Sequence, residues 1–177
     1  MAVTVVFETH ARSLDNDRGV AAGWAQGELS ETGRAQAAEL GLRRGRDGFD
    51  AVFASDLPRS AETARIAFPD GPPLFLDQRL RECDYGDLTG APSEQVHGRR
   101  LDYLDTPYPG GESWRQATER VNRFLHEVVE QRAGGRVLII GHIATRVAIE
   151  HRAGVGPLEA LLVAPFAWQP GWEYRLD

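Results

Sequence analysis

Short runs of consecutive apolar residues, separated by stretches with helical spacing, constrain this chain more than any other feature. Val3–Glu8, Phe49–Ala54 and Val137–Ile140 are strand-sized, with Leu74–Leu76 a shorter candidate. Apolar runs without alternation, such as Val3–Glu8 and Val137–Ile140, read as strands buried on both faces of a sheet. Between them lie the helices. Ser30 is an N-cap for a helix to about Arg44, with Gly45 as its stop. Ser55 to Ala67 reads as helical and ends before Pro69, and Ile143–Arg152 follows the last apolar run. The clearest helix is Ser113–Arg132, where Trp114, Ala117, Val121, Phe124, Leu125, Val128 and Val129 share one face. Leu14–Leu29 and Arg79–Gly90 lack periodicity and read as loops, Ala91–Pro109 as one short helix with loops, and Trp172–Leu176 as an edge strand. Strands alternating with helices predict an α/β fold: a three-layer α/β/α sandwich with a mostly parallel central sheet. No repeat or linker interrupts residues 1–177, so one domain is expected.

Composition narrows the function classes. The 177 residues are 42% hydrophobic and 26% charged, ordinary for a packed core rather than a disordered chain. A formal charge of −6 makes a nucleic-acid partner a poor fit. All 20 basic residues are arginine, the side chain suited to bidentate phosphate contacts, although most will be solvated surface charges. A single cysteine, Cys83, excludes an internal disulfide and a cysteine-based zinc site; it is expected to be inert. No secretory leader or membrane-length apolar run is visible, so a cytoplasmic location without membrane partners is expected.

In open parallel sheets, ligands sit beyond the carboxyl ends of the strands. Here those ends carry His10, then Ser55-Asp56 with Arg59 close behind, then His142, while Glu82 lies in an irregular segment between. A neutral imidazole is a nucleophile near neutral pH and can split one difficult transfer into two through a covalent intermediate. Arg59 and a protonated His142 would neutralise phosphoryl oxygens, and Glu82 would protonate a leaving oxygen and later activate water. Each signal alone is weak, because strand-end histidines and helix-start arginines are commonly structural.

The order of motifs adds to this. The string T-H-A-R-S-L-D-N places Asn16 six residues after His10. Gly23-Trp24, L-S-E-T-G-R-A-Q-A from Leu29, Ser55-Asp56-Leu57-Pro58-Arg59-Ser60-Ala61-Glu62-Thr63-Ala64, Leu80 to Gly90, Pro109-Gly110-Gly111-Glu112-Ser113 and Val137–His142 follow in turn. Over roughly residues 3 to 150 the chain resembles the histidine phosphatase superfamily, phosphoglycerate-mutase-like branch. The resemblance implies that His10 is the phosphorylated nucleophile, Arg59 and His142 are phosphate ligands, and Glu82 is the proton donor. It implies no cofactor and no metal. Thr9, Arg12, Ser13, Asn16 and Ile143 become candidate substrate contacts.

The opening motif departs from the family's R-H-G-E. Its arginine is Thr9 here, its glycine Ala11 and its glutamate Arg12. A hydrogen bond to a charged group contributes about 1.5–3 kcal/mol, so losing that arginine would slow turnover roughly ten- to a hundredfold. Either Arg12 swings into the space beside Thr9, or it is a rim charge and the cradle is weaker. Only the short stretch Ala91–Pro109 follows the acid, which leaves an open pocket that admits water and favours hydrolysis. The expected activity is therefore a metal-independent phosphomonoesterase on a small phosphorylated metabolite, acting as a monomer or homodimer. The alternatives are a weak or inactive phospho-ligand binder and a phosphoglycerate-type mutase. Trp114 is expected in the core. His97, His126 and His151 are expected in solvated or core roles, and Arg43-Arg44 and Arg99-Arg100 on helix surfaces, the second pair within reach of a substrate. Trp168 and Trp172 are candidates to fold back over the site.

Overall fold

A computed structural model describes all residues from Met1 to Asp177. Five strands form one sheet in the order β3-β2-β4-β1-β5. These are β1 (Val3–Thr9), β2 (Ala51–Ala54), β3 (Leu74–Leu76), β4 (Arg136–Gly141) and β5 (Trp172–Leu176). β1, β2, β3 and β4 pair in parallel, and β5 adds antiparallel to β1 as an edge. The fold is the α/β class expected, with helices over both faces.

Side-chain alternation along β1 explains the two covering layers. Val3, Val5 and Phe7 pack with Val137 and Ile139 of β4 against α5 (Trp114–Gln131) and α6 (Ile143–Arg152). Val6, with Leu138 and Ile140, faces the other way, onto α2 (Glu31–Arg44) and α3 (Pro58–Ala67). Each fully buried Val, Leu or Phe contributes about 1.5–3 kcal/mol, which favours strands apolar on both faces. α5 carries the predicted stripe: Val121, Phe124, Leu125 and Val128 meet the sheet, while Trp114 and Ala117 enter a second cluster with Tyr85, Val96 and Leu158. Val129 is only partly buried at the edge of the first cluster.

Two helices lie where none was expected. Ser13 and Asn16 form a reciprocal capping box that starts α1 (Leu14–Arg18), and Gly19, with φ 68°, ends it in the left-handed region. At five residues it is too short to show apolar periodicity. α7 (Leu158–Val163) follows Pro157 and buries Leu158, Leu161 and Leu162. α4 (Ser93–His97) is the short helix expected in the segment 91–109, followed by a 3-10 turn at Arg100–Tyr103. No helix is long and apolar enough to cross a membrane.

Candidate active site

The carboxyl ends of β1 and β4 lie side by side, with Thr9 paired to Gly141. His10 and His142 therefore leave the sheet together, and their ring centroids are 5.0 Å apart. Arg59, from the first turn of α3 beyond β2, closes the group: its Nη2 lies 3.4 Å from His142 Nδ1. Glu82 reaches the same point from the irregular segment after β3. All four line one cavity of about 580 Å³, the size range of a small-molecule site.

The hydrogen bonds fix both tautomers. His10 Nδ1 lies 2.7 Å from the Ala11 carbonyl oxygen, which can only accept, so Nδ1 carries the proton and Nε2 keeps its lone pair. Arginine can only donate, so His142 Nδ1 accepts from Arg59 and His142 Nε2 carries the proton. That Nε2 is buried and has no partner within the protein. An orphaned buried donor costs free energy, and here it belongs to a side chain lining the cavity. Burial, and secondarily the Arg59 charge, lowers the His10 pKa from 6.5 to about 3. The same causes, with His10 itself a lesser one, hold His142 well below the ordinary histidine value. Without an anion these causes favour the neutral imidazole; a bound phosphoryl dianion would draw the His142 pKa upward, toward the protonated form expected.

The loop after His10 is held by Thr63 and Gln36, which lie in two of the motifs quoted above. The Ala11 N–H donates to Thr63 Oγ1 at 3.0 Å, and the Arg12 N–H donates to Gln36 Oε1 at 3.0 Å. Gln36 thus orients the same peptide whose carbonyl fixes His10. Gly33 is required by close approach: a Cβ there would fall 1.9 Å from the Arg12 carbonyl oxygen. Arg59 is buried and also donates to the Gly23 and Ala25 carbonyls at 2.8 and 3.1 Å, binding the loop after α1 to the site.

Glu82 is placed by main chain. Its Oε1 accepts from the Cys83 and Ala144 N–H groups at 2.9 and 3.0 Å, and its Oε2 from the Ile143 N–H at 3.3 Å. Arg120 of α5, which sequence reasoning missed, gathers the carbonyls of Arg79, Arg81 and Glu82. Trp24 donates to the Glu82 carbonyl at 2.7 Å and so supports the acid. Cys83 is buried, and burial pushes its thiol up.

The remaining candidates divide. Thr9, Asn16 and Ile143 line the cavity. Asn16 already spends its side-chain oxygen on Ser13, while Ile143 offers its backbone to Glu82. Ser13 does not line the cavity; it is fully buried as the α1 cap, which corrects its place among the substrate contacts. Arg12 reaches the rim, but its Nε pairs with Asp17 and half of its side chain is exposed. Its Nε is therefore committed to Asp17.

Arg100, of the pair expected within reach of a substrate, lines the cavity from the α4 side, together with His97 and Tyr85, which sequence reasoning did not place there. On the opposite side, Arg43 and Arg44 are not simple surface charges. Both grip the buried Glu8, at 3.2 and 2.9 Å. Trp168 and Phe166 complete that wall, so Trp168 does fold back over the site, while Trp172 packs on Phe7. No group of three His, Cys, Asp or Glu side chains is arranged to hold a metal ion.

Known proteins share this fold and sequence pattern. Residues 5–163 match the histidine phosphatase superfamily (branch 1). The 2,3-bisphosphoglycerate-dependent phosphoglycerate mutase of Parvibaculum lavamentivorans is 34% identical over 155 residues, covering 78% of this chain and 73% of the mutase. Among solved structures, Bacillus stearothermophilus YhfR superposes with a TM-score of 0.81 at 26% identity, over 96% of this chain and 88% of that one. A mycobacterial glucosyl-3-phosphoglycerate phosphatase gives 0.80 at 25% identity, over 92% of this chain and 84% of that one. By name these relatives include a mutase and a phosphatase, and the chain belongs to branch 1 of the histidine phosphatase superfamily.

Proposed function

We propose that the protein is a metal-independent phosphomonoesterase that works through a phosphorylated His10. One observation carries the reading: a tautomer-fixed imidazole with a free Nε2 lone pair faces an unpartnered His142 Nε2–H and the Arg59 charge. His10 Nε2 attacks phosphorus, and the P–O bond to the alcohol breaks. The leaving oxygen takes a proton from the Glu82 carboxyl. For this, Glu82 Oε2 turns from the Ile143 N–H, the longest of its three contacts. His142 and Arg59 stabilise the equatorial oxygens. Water then attacks the phosphohistidine, Glu82 takes its proton, the P–N bond breaks and inorganic phosphate leaves.

Hydrolysis rather than transfer is supported by the mouth of the cavity, where Gln36, Glu39 and Trp168 are exposed and water reaches the intermediate. The names of the mutase relatives favour a second reading, return of the phosphoryl group to the substrate. The two separate when phosphoglycerate is the substrate: hydrolysis releases inorganic phosphate in proportion to substrate lost, whereas a mutase moves the group between carbons with none released. His10→Ala abolishes either activity; a variant that keeps full turnover of an aryl phosphate overturns both.

A further inference from the structure

The cavity is larger than a phosphoryl group needs, and it continues past Thr9 along the groove between β1 and α2. This lobe is lined by Glu8, Gln36, Glu39, Arg43, Phe166 and Trp168. It is built rather than incidental. Glu8, 2% exposed, takes the place of an apolar residue facing α2 and holds Arg43 and Arg44 there. Arg44 also donates to the Pro170 carbonyl at 2.8 Å, which ties the C-terminal segment across the groove. Gly171, with φ 81°, lets that segment pass: a Cβ there would lie 2.1 Å from Arg44 Nη2 and 2.7 Å from Glu8 Oε1. Arg146 lies 5.3 Å from the centre of the Phe166 ring and steadies it from below.

The chemistry of the lobe selects its occupant. The carboxylates of Glu8 and Glu39 balance the guanidinium groups of Arg43 and Arg44, so a second anion gains no net attraction. Hydrogen-bonding capacity remains, however. Glu39 has no ion-pair partner, the Gln36 side-chain amide N–H groups are uncommitted, and Arg43 uses only Nη2 on Glu8. Trp168 is 62% exposed and presents an aromatic surface beside these groups. A neutral ring bearing several hydroxyls fits: carboxylate and amide groups bond its hydroxyls, and its C–H face lies on the indole. The geometry points to a subsite for the glycosyl part of a sugar phosphate, with Glu39 and Trp168 as its specificity-determining residues. This assignment rests on the phosphomonoesterase reading for the phosphoryl half of the site.

Calorimetric binding of glucose 6-phosphate and phenyl phosphate to His10→Ala protein tests the lobe without turnover. Glucose 6-phosphate binds about tenfold more tightly, and adding Glu39→Ala or Trp168→Ala to that protein removes most of the difference. Both side chains are exposed, so circular dichroism of the variants should match the parent. Equal binding of the two esters, tighter binding of the phenyl ester, or an unchanged ratio in both variants overturns the subsite. Phosphate release by the wild-type protein is measured in parallel. No release from either ester sinks the phosphatase reading, while the binding ratio still decides the subsite.

Discussion

Replacing Thr63 by Val should cost both stability and turnover through one atom. The Thr63 side chain is fully buried, and its oxygen accepts the Ala11 N–H at 3.0 Å while its proton goes to the Arg59 carbonyl at 2.7 Å. Valine keeps the shape and removes the hydroxyl. The Arg59 carbonyl sits in a helix and loses a supplementary bond, whereas the Ala11 N–H loses the one acceptor it has. An orphaned buried donor costs about 1–3 kcal/mol. At about 2–4 °C per kcal/mol for a domain of this size, Tm falls by about 2–12 °C. The next peptide carries the carbonyl that fixes His10 Nδ1, so the loop movement also mis-aims Nε2. If the transition state bears the same cost as the fold, kcat falls roughly 5- to 150-fold. KM for an aryl phosphate changes less, because His142, Arg59 and Glu82 stay in place. Thermal unfolding and steady-state kinetics read both effects, and Thr63→Ser, which keeps the hydroxyl, restores most of the kcat. A Thr63→Val enzyme within about 0.5 kcal/mol and twofold of wild type would refute the claim that this bond aims the nucleophile.

Two further outcomes follow from the site. In the free protein the His10 imidazole, watched by NMR, stays neutral from about pH 8 to about pH 4, because its pKa is lowered to about 3. The unfolded chain protonates its histidines near 6.5, so this group withdraws stability as pH falls through that window; a His10 titration near 6.5 contradicts the burial argument. Arg12→Ala changes kcat/KM by less than about fivefold, since an exposed ion pair with Asp17 contributes at most about 1 kcal/mol. A loss of a hundredfold would mean that Arg12 does reach the phosphate.

Local and consecutive signals were readable in the sequence. Unbroken apolar runs named β1 and β4, the stripe from Trp114 to Val128 named α5, and seven motifs in order brought His10, Arg59, Glu82 and His142 to one place. What escaped depends on partners distant along the chain. Glu8 sits inside an apolar run and gives no local sign of Arg43 and Arg44, 35 and 36 residues on. Arg44 meets the Pro170 carbonyl 126 residues away. Arg120 is one of several polar residues on α5, and only the fold shows that it gathers three carbonyls around Glu82. Ser13 was misjudged because a hydroxyl beside a nucleophile has the same composition whether it faces substrate or caps a helix. Arg12 could be read as a phosphate contact or a rim charge, because the string T-H-A-R does not show that its side chain turns to Asp17, five residues on.

Covalent trapping tests the central claim most directly. The enzyme is mixed with a phosphomonoester carrying labelled phosphorus, quenched in alkali during turnover and digested. The account predicts an acid-labile label on the peptide containing His10, absent from His10→Ala. Turnover with no labelled peptide, or a label on any other residue, would contradict it.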